Sequence, residues 1–296
     1  MKIQKGSLFI VLAAVLWALD GVVRRNLYAL PPLVIVSVEH IVGSLILIPF
    51  IATQLFKARF QKKEWVAIIL ISLFSGLLGT VWFTTALLMT SYISFSVVFL
   101  LQKLQPVFAL LAARILLKEK LSKQYFFWAT CALIAAFFVT FPMGEVNLNT
   151  GDKTLQAALF ALGAAVLWGS STALSRYLLL KHKARVVAGM RFLVTSLFGL
   201  IALFIYGQYG ALKTITPFQL SQFAFIAVST GMVALLLYYK GLRTVPVHIA
   251  TFLELIFPLL AVLIDVYLYK TQISIVQILA GLTLLFSLYH ITKKTT

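Results

Sequence analysis

Charge is scarce in this chain, and negative charge scarcest of all. Of 296 residues only 11% are Asp, Glu, Lys or Arg, and eight are acidic, where a soluble domain carries about 25% charged residues. One cysteine, Cys131, excludes an internal disulfide. These shortages exclude a disulfide-built secreted domain and a disordered chain. Three motifs are also missing: a Gly-x-x-x-x-Gly-Lys-Ser/Thr phosphate loop, a His-Glu-x-x-His or Cys/His metal cluster, and a Gly-x-Ser-x-Gly nucleophile turn. No ATPase machinery, metal site or cofactor is therefore expected, and an intramembrane enzyme is the weaker reading. What is abundant is apolar surface: 61% of residues are hydrophobic and mean hydropathy is +1.01. The chain reads as an integral membrane protein with the lipid bilayer as its solvent.

A helix crossing the hydrocarbon needs about 20 apolar residues. Ten runs meet that requirement, at roughly 6–28, 33–56, 65–88, 92–117, 124–142, 155–180, 185–206, 217–240, 247–269 and 274–292. Membrane β-strands would alternate apolar and polar residues, and stretches such as Val66-Ala67-Ile68-Ile69-Leu70-Ile71 do not. The net charge of +17 would suggest nucleic acid in a soluble protein. Here most basic residues sit between apolar runs, so they report topology and no nucleic-acid partner is expected. With the N-terminus inside, 17 of the 25 Lys and Arg residues fall on the inner side, and Arg24, Arg25, Lys153, Lys213 and Lys270 on the outer. The positive-inside rule then predicts both termini cytoplasmic in the inner (plasma) membrane.

The sequence repeats itself. Ala13-Ala14-Val15-Leu16-Trp17 recurs as Ala164-Ala165-Val166-Leu167-Trp168. Arg25 falls on Arg176, Ser44 on Thr195, Ser75-Gly76 on Thr230-Gly231 and Pro106 on Pro258. Five spans per half is an odd number, so the second half enters from the opposite side. The predicted fold is all-α: ten transmembrane helices in two inverted five-helix repeats, residues 1–142 and 155–296, joined by an outer linker at 143–154. Such repeats are how many secondary transporters are built.

With these features in place, the sequence resembles the EamA-like branch of the drug/metabolite transporter superfamily. The resemblance is carried by the Ala-rich, Trp-containing first helix of each half. It is also carried by Gln105-Pro106-Val107-Phe108-Ala109 followed by Leu117-Lys118-Glu119-Lys120-Leu121-Ser122. Phe257-Pro258-Leu259-Leu260-Ala261 fits in the second half, where Thr271 replaces the glutamate. The resemblance implies a cavity lined mainly by the first, third, fourth, sixth, eighth and ninth helices. It also implies transport of small metabolites, often export of amino acids.

Charges inside a bilayer cost roughly 2.5–3.5 kcal/mol each on insertion scales and call for a reason. Lys103 in the fourth run and Glu254 in the ninth sit at similar depth, just before Pro106 and Pro258, which are expected to kink their helices. The two charges can hold the carboxylate and amine of a zwitterion, or form a structural ion pair between the halves. Gln102 and Gln105 are hydrogen-bonding neighbours of Lys103. Trp17, Trp168, Trp82, Tyr238 and Tyr239 are candidates for an aromatic slot, or for packing. Asp20 and Glu39 near Arg24 and Arg25 are candidates for an outer gate, or for an ordinary headgroup cluster. His40, Arg191, His248, His290 and Asp265 are weaker candidates. The expected function is secondary transport by alternating access of a small polar organic metabolite, an amino acid or related amine, in the export direction. Asp20, Glu39 and Glu254 are the candidate proton carriers. The alternatives are exchange or import of a nucleotide-like or cationic compound, or a passive channel. The oligomeric expectation is monomer or homodimer.

Overall fold

The computed structural model describes residues 5–89, 98, 101–145, 153–270 and 272–293. Among these, every regular element is helical: α1 (Lys5–Arg24), α2 (Pro32–Lys57), α3 (Lys62–Leu88), α4 (Gln105–Leu116), α5 (Lys123–Thr140), α6 (Thr154–Leu179), α7 (Ala184–Ile205), α8 (Pro217–Leu242), α9 (Val247–Leu253), α10 (Ile256–Tyr269) and α11 (Ile275–Lys293). Eight segments among the described residues are long and apolar enough to cross a membrane: α2, α3, α5, α6, α7, α8, α9 with the start of α10, and α11. α1 is 20 residues long and α4 is a shorter apolar helix.

Local chemistry sets where these helices begin. Pro32 opens α2, where a missing N–H costs nothing. The Ser122 hydroxyl accepts the Tyr125 N–H at 3.1 Å and starts α5. Reciprocal capping boxes start α3 (Gln61 with Glu64) and α8 (Thr216 with Gln219). Phe50, Phe56, Ile115 and Phe204 lie exposed on the outside of the bundle. On a soluble protein such a surface would aggregate; hydrocarbon is the solvent it suits.

The expected fourth and ninth runs need correction, because neither is one continuous helix. Residues 101–102 are helical, Lys103 and Leu104 form a turn, and α4 begins at Gln105; Glu254 and Leu255 form the matching turn between α9 and α10. Pro106 and Pro258 cannot donate to the carbonyls one turn earlier. The chain tightens there instead, with Val107 N–H bonded to Leu104 O and Phe257 N–H to Glu254 O, each at 3.0 Å. The third and eighth spans hold a second matched irregularity. Ser72–Leu78 and Ala227–Gly231 are π-helical, and they contain the repeated pairs Ser75-Gly76 and Thr230-Gly231.

Packing is reciprocal. α1 lies against α8 and α6 against α3, α4 packs on α6 and α9–α10 on α1, while α2 meets α7 and α5 meets α11. Small residues let these backbones close up, as expected where helices associate without water. A Cβ on Gly169 would lie 2.6 Å from the Gln105 carbonyl oxygen and 2.8 Å from the Ala109 nitrogen.

Candidate substrate cavity

The two broken spans and the two π-containing spans meet α1, α2, α6 and α7 around a cavity of about 270 Å³. Of the residues singled out in the sequence, Lys103, Glu254, Gln102, Gln105, Trp17, Trp168, Tyr238, Tyr239, Asp20, Glu39 and Pro106 line it. Trp82 and Pro258 do not. Trp82 fills a notch over Gly163 on α6, where a Cβ would sit 2.6 Å from its ring, with Phe160 beside it. Pro258 shapes its break from within the packing.

The break turns carry a hydrogen-bonded chain. Gln102 Nε2 donates to Gln105 Oε1 at 2.9 Å, and Gln105 Nε2 donates to Glu254 Oε2 at 3.2 Å. Tyr238 Oη donates to Glu254 Oε1 at 2.6 Å. Both oxygens of Glu254 are thus engaged, one from each half of the chain. Lys103 Nζ sits 4.1 Å from the centre of the Phe257 ring, a cation–π contact. Aromatic rings flank this polar centre in two matched pairs: Trp17 with Tyr238, centroids 5.1 Å apart, and Phe83 with Trp168, 5.0 Å apart. These pairs bridge the reciprocal contacts α1–α8 and α3–α6.

At the C-terminal end of α1, Arg24 is only 8% exposed. That corrects the expectation of a wet headgroup cluster. Its Nε donates to Asp20 at 2.6 Å and its Nη1 lies 2.9 Å from Glu39. Thr230, in the π segment of α8, donates to Asp20. Removing one member of such a buried set costs about 3–5 kcal/mol. The side chain of Arg25 lies outside the described residues, as does that of Asp265.

The opposite end is tied differently. Gly6 of α1 lies against Gly241 of α8, so the C-terminus of α8 marks the N-terminal end of α1. There Arg176 donates to the carbonyls of Leu242 and Val245 and lies 3.6 Å from Glu119. Glu119 accepts the backbone N–H of Val247 at 3.0 Å and of His248 at 3.3 Å, and pairs with the His248 ring. His248 is one of the weaker candidates of the sequence. It is held in a cross-half contact, with Tyr125 bonded to its carbonyl at 2.9 Å. Burial raises the Glu119 carboxyl, but the His248 ring and the two N–H groups outweigh that and leave it below the ordinary carboxylate value. Glu64, with Lys181 at 2.9 Å and His182 at 3.0 Å, adds a second tie between the halves at this end. The void reaches Arg24 and Tyr28 and stops short of Glu119.

Sequence reasoning gave little weight to Arg191 and His40, repeat partners that both line the cavity from α7 and α2. It missed the hydroxyl lining altogether: Ser75, Thr80, Thr84, Ser171, Thr172, Ser175 and Thr251. Single hydroxyls in apolar helices carry no signal of their own. Only the Ser75/Thr230 repeat match pointed this way. Among the described residues no group of three or more His, Cys, Asp or Glu side chains converges as a metal site.

Comparison with known proteins agrees with this architecture. The model of the EamA-like transporter family matches residues 4–141 and again 155–293. The chain is 33% identical over 292 residues to the Riboflavin transporter ImpX of Fusobacterium nucleatum, covering 98% of both. It is 26% identical over 289 residues to Protein LicB of Haemophilus influenzae, covering 96% of this chain and 95% of that one. A solved structure described as "Crystal structure of protein" superposes with a TM-score of 0.76 at 17% identity, over 98% of each chain. The chain is a multi-pass membrane transporter of small metabolites, not an enzyme, and belongs to the EamA-like transporter family.

Proposed function

We propose that this transporter carries a planar heteroaromatic metabolite of the riboflavin class by alternating access. The observation that carries this reading is the cavity itself. Two aromatic pairs stand across a centre of amides, hydroxyls, the Glu254 carboxylate and the Lys103 ammonium, with Arg191 and the Asp20–Arg24–Glu39 set also in the lining, an arrangement suited to a flat ring with a polar edge and a hydroxylated tail. The 33% identity to a named riboflavin transporter supports the same class. Amino-acid export is the second reading, favoured by Lys103 and Glu254 in the two break turns; it asks Glu254 to exchange Tyr238 or Gln105 for an amine.

Reciprocal packing, paired breaks and paired π segments support ten crossings in two inverted repeats. With the N-terminus inside, the Glu119 end is cytoplasmic and the cavity extends toward the outside. Both termini are then cytoplasmic in the inner (plasma) membrane; proton coupling through Asp20, Glu39 or Glu254 and a monomeric or dimeric state belong to the same proposal. Purified protein in lipid nanodiscs should quench riboflavin fluorescence saturably, and proteoliposomes should take up riboflavin and exchange it with internal riboflavin. Stabilisation by amino acids with no response to flavins would overturn the first reading in favour of the second. A reporter fused after Thr296 should read cytoplasmic and one near Thr150, outside the described residues, external; a cytoplasmic signal at Thr150 would sink the inverted arrangement.

A further inference from the structure

We propose that Arg191 reads an acceptor edge of the cargo: carbonyl oxygens flanking an imide, or a carboxylate, on a planar ring. This deepens the reading above and rests on the same cavity being the cargo site. Arg24 is neutralised by Asp20 and Glu39, and Lys103 lies over the Phe257 ring. Arg191 differs from both. Among the described residues no carboxylate lies within 4.0 Å of its guanidinium. Its Nη1 donates to Tyr239 Oη and its Nη2 to the Ser75 carbonyl, each at 3.2 Å, and its buried Nε has no hydrogen-bond partner.

A guanidinium has five N–H donors in a rigid planar fork, and two are used here, both by neutral groups. A cation held at membrane depth without a counter-charge is expensive, and the local structure is organised to hold this one. The Tyr239 hydroxyl is fixed in turn by Ser175 at 2.9 Å. The Ser75 carbonyl belongs to the π segment of α3, and Thr80 also bonds to it. The side chain is partly open to the cavity. A preorganised fork with an N–H left over on each of Nη1 and Nη2, on a side chain partly open to a void flanked by aromatic pairs, is the arrangement that recognises the acceptor edge of a flat ring.

Equilibrium binding to the full-length protein in nanodiscs tests this, with riboflavin and its 2-thio analogue as probes and wild type, Arg191→Gln and Arg191→Lys compared. Arg191→Gln should weaken riboflavin binding about tenfold or more, and Arg191→Lys, which keeps the charge but loses the fork, by less. Sulfur at C2 should cost the wild type several-fold and cost Arg191→Gln little, because the partner is already gone. If Arg191→Gln does not fold, the sulfur penalty in Arg191→Lys decides, and it should fall below that of wild type. Unchanged affinity in the variants, or an undiminished sulfur penalty, overturns the assignment. If the wild type binds neither flavin, the riboflavin reading fails by itself, and orotate becomes the probe. A thermal shift with orotate that is lost in Arg191→Gln would then support the acceptor site, and no shift in the wild type would overturn it.

Discussion

The hydroxyls of Ser44 and Ser196 lie 2.9 Å apart, although 152 residues separate them. Ser44 falls on Thr195 in the internal repeat, so near-equivalent positions of the two halves touch, which in a twofold arrangement happens only beside the axis. Ser196 also donates to the Phe192 carbonyl at 2.8 Å, so the Ser44 proton is the one shared between the helices. The expected outcome is a coupled pair. Ser196→Ala strands the Ser44 proton and costs more than Ser44→Ala, and the double variant costs less than the sum. The coupling should be about 0.6–1.5 kcal/mol, the scale of hydrogen bonds between membrane helices. A double-mutant cycle of reversible unfolding in mixed micelles measures it.

Gly169 and Gly210 should respond oppositely to alanine. The Gly169 Cβ would meet backbone atoms of Gln105 and Ala109, while Gly210 has nothing within 4 Å. Backbone cannot rotate away as a side chain can. Gly169→Ala should therefore destabilise by about 1–3 kcal/mol and widen the α4–α6 contact beside the cavity, whereas Gly210→Ala should leave melting temperature and transport as they are.

Glu254 and Lys103 are separated as cargo contacts or structural charges by exchange. Glu254→Gln and Lys103→Met should each abolish transport in protein that still inserts and folds. In the combined Lys103→Glu, Glu254→Lys variant, Tyr238 and Gln105 would face an ammonium in place of the carboxylate they now donate to. Transport should stay lost, and full recovery in proteoliposomes would mark the two as a structural pair.

The Glu119 contact sets a pH dependence whose sign follows from its lowered pKa. A carboxyl more acidic folded than unfolded contributes stability that is complete above the unfolded value, about 4.3, and is lost as pH falls through the folded value. The melting temperature should thus be level through neutral pH and drop on the acid side. Glu119→Gln should be less stable by about 1–3 kcal/mol at pH 7, with the difference from wild type shrinking as pH falls.

Much of this was legible in the sequence, because lipid imposes simple rules. Apolar length pointed to the eight spans found among the described residues, and the Trp, Pro and Ser-Gly matches pointed to the two halves that the family model matches in turn. What escaped has physical causes. Pro106 and Pro258 announce a disturbance but not its extent, since the cavity and the neighbouring helices decide whether a proline bends or interrupts. π segments have no composition of their own. Trp17 and Trp82 look alike along their helices, and only the facing surface, Tyr238 for one and Gly163 for the other, separates a cavity wall from a packed notch. His248 gains its importance from a residue 129 positions earlier, a distance over which no local pattern runs.

Glu119 also fixes an order of events. α9 follows Pro246, which offers no side-chain cap, and its first N–H groups are satisfied by a carboxylate from the other half. The partner that completes this helix end leaves the ribosome 128 residues before Val247 does. The first half is therefore made before the helix end it completes, and the Glu119 side chain in turn finds its own partners, Val247, His248 and Arg176, only when the second half arrives. Two fragments divided at the central linker would reassemble best when the N-terminal piece is made first, and α9 made alone would enter the membrane with a frayed end.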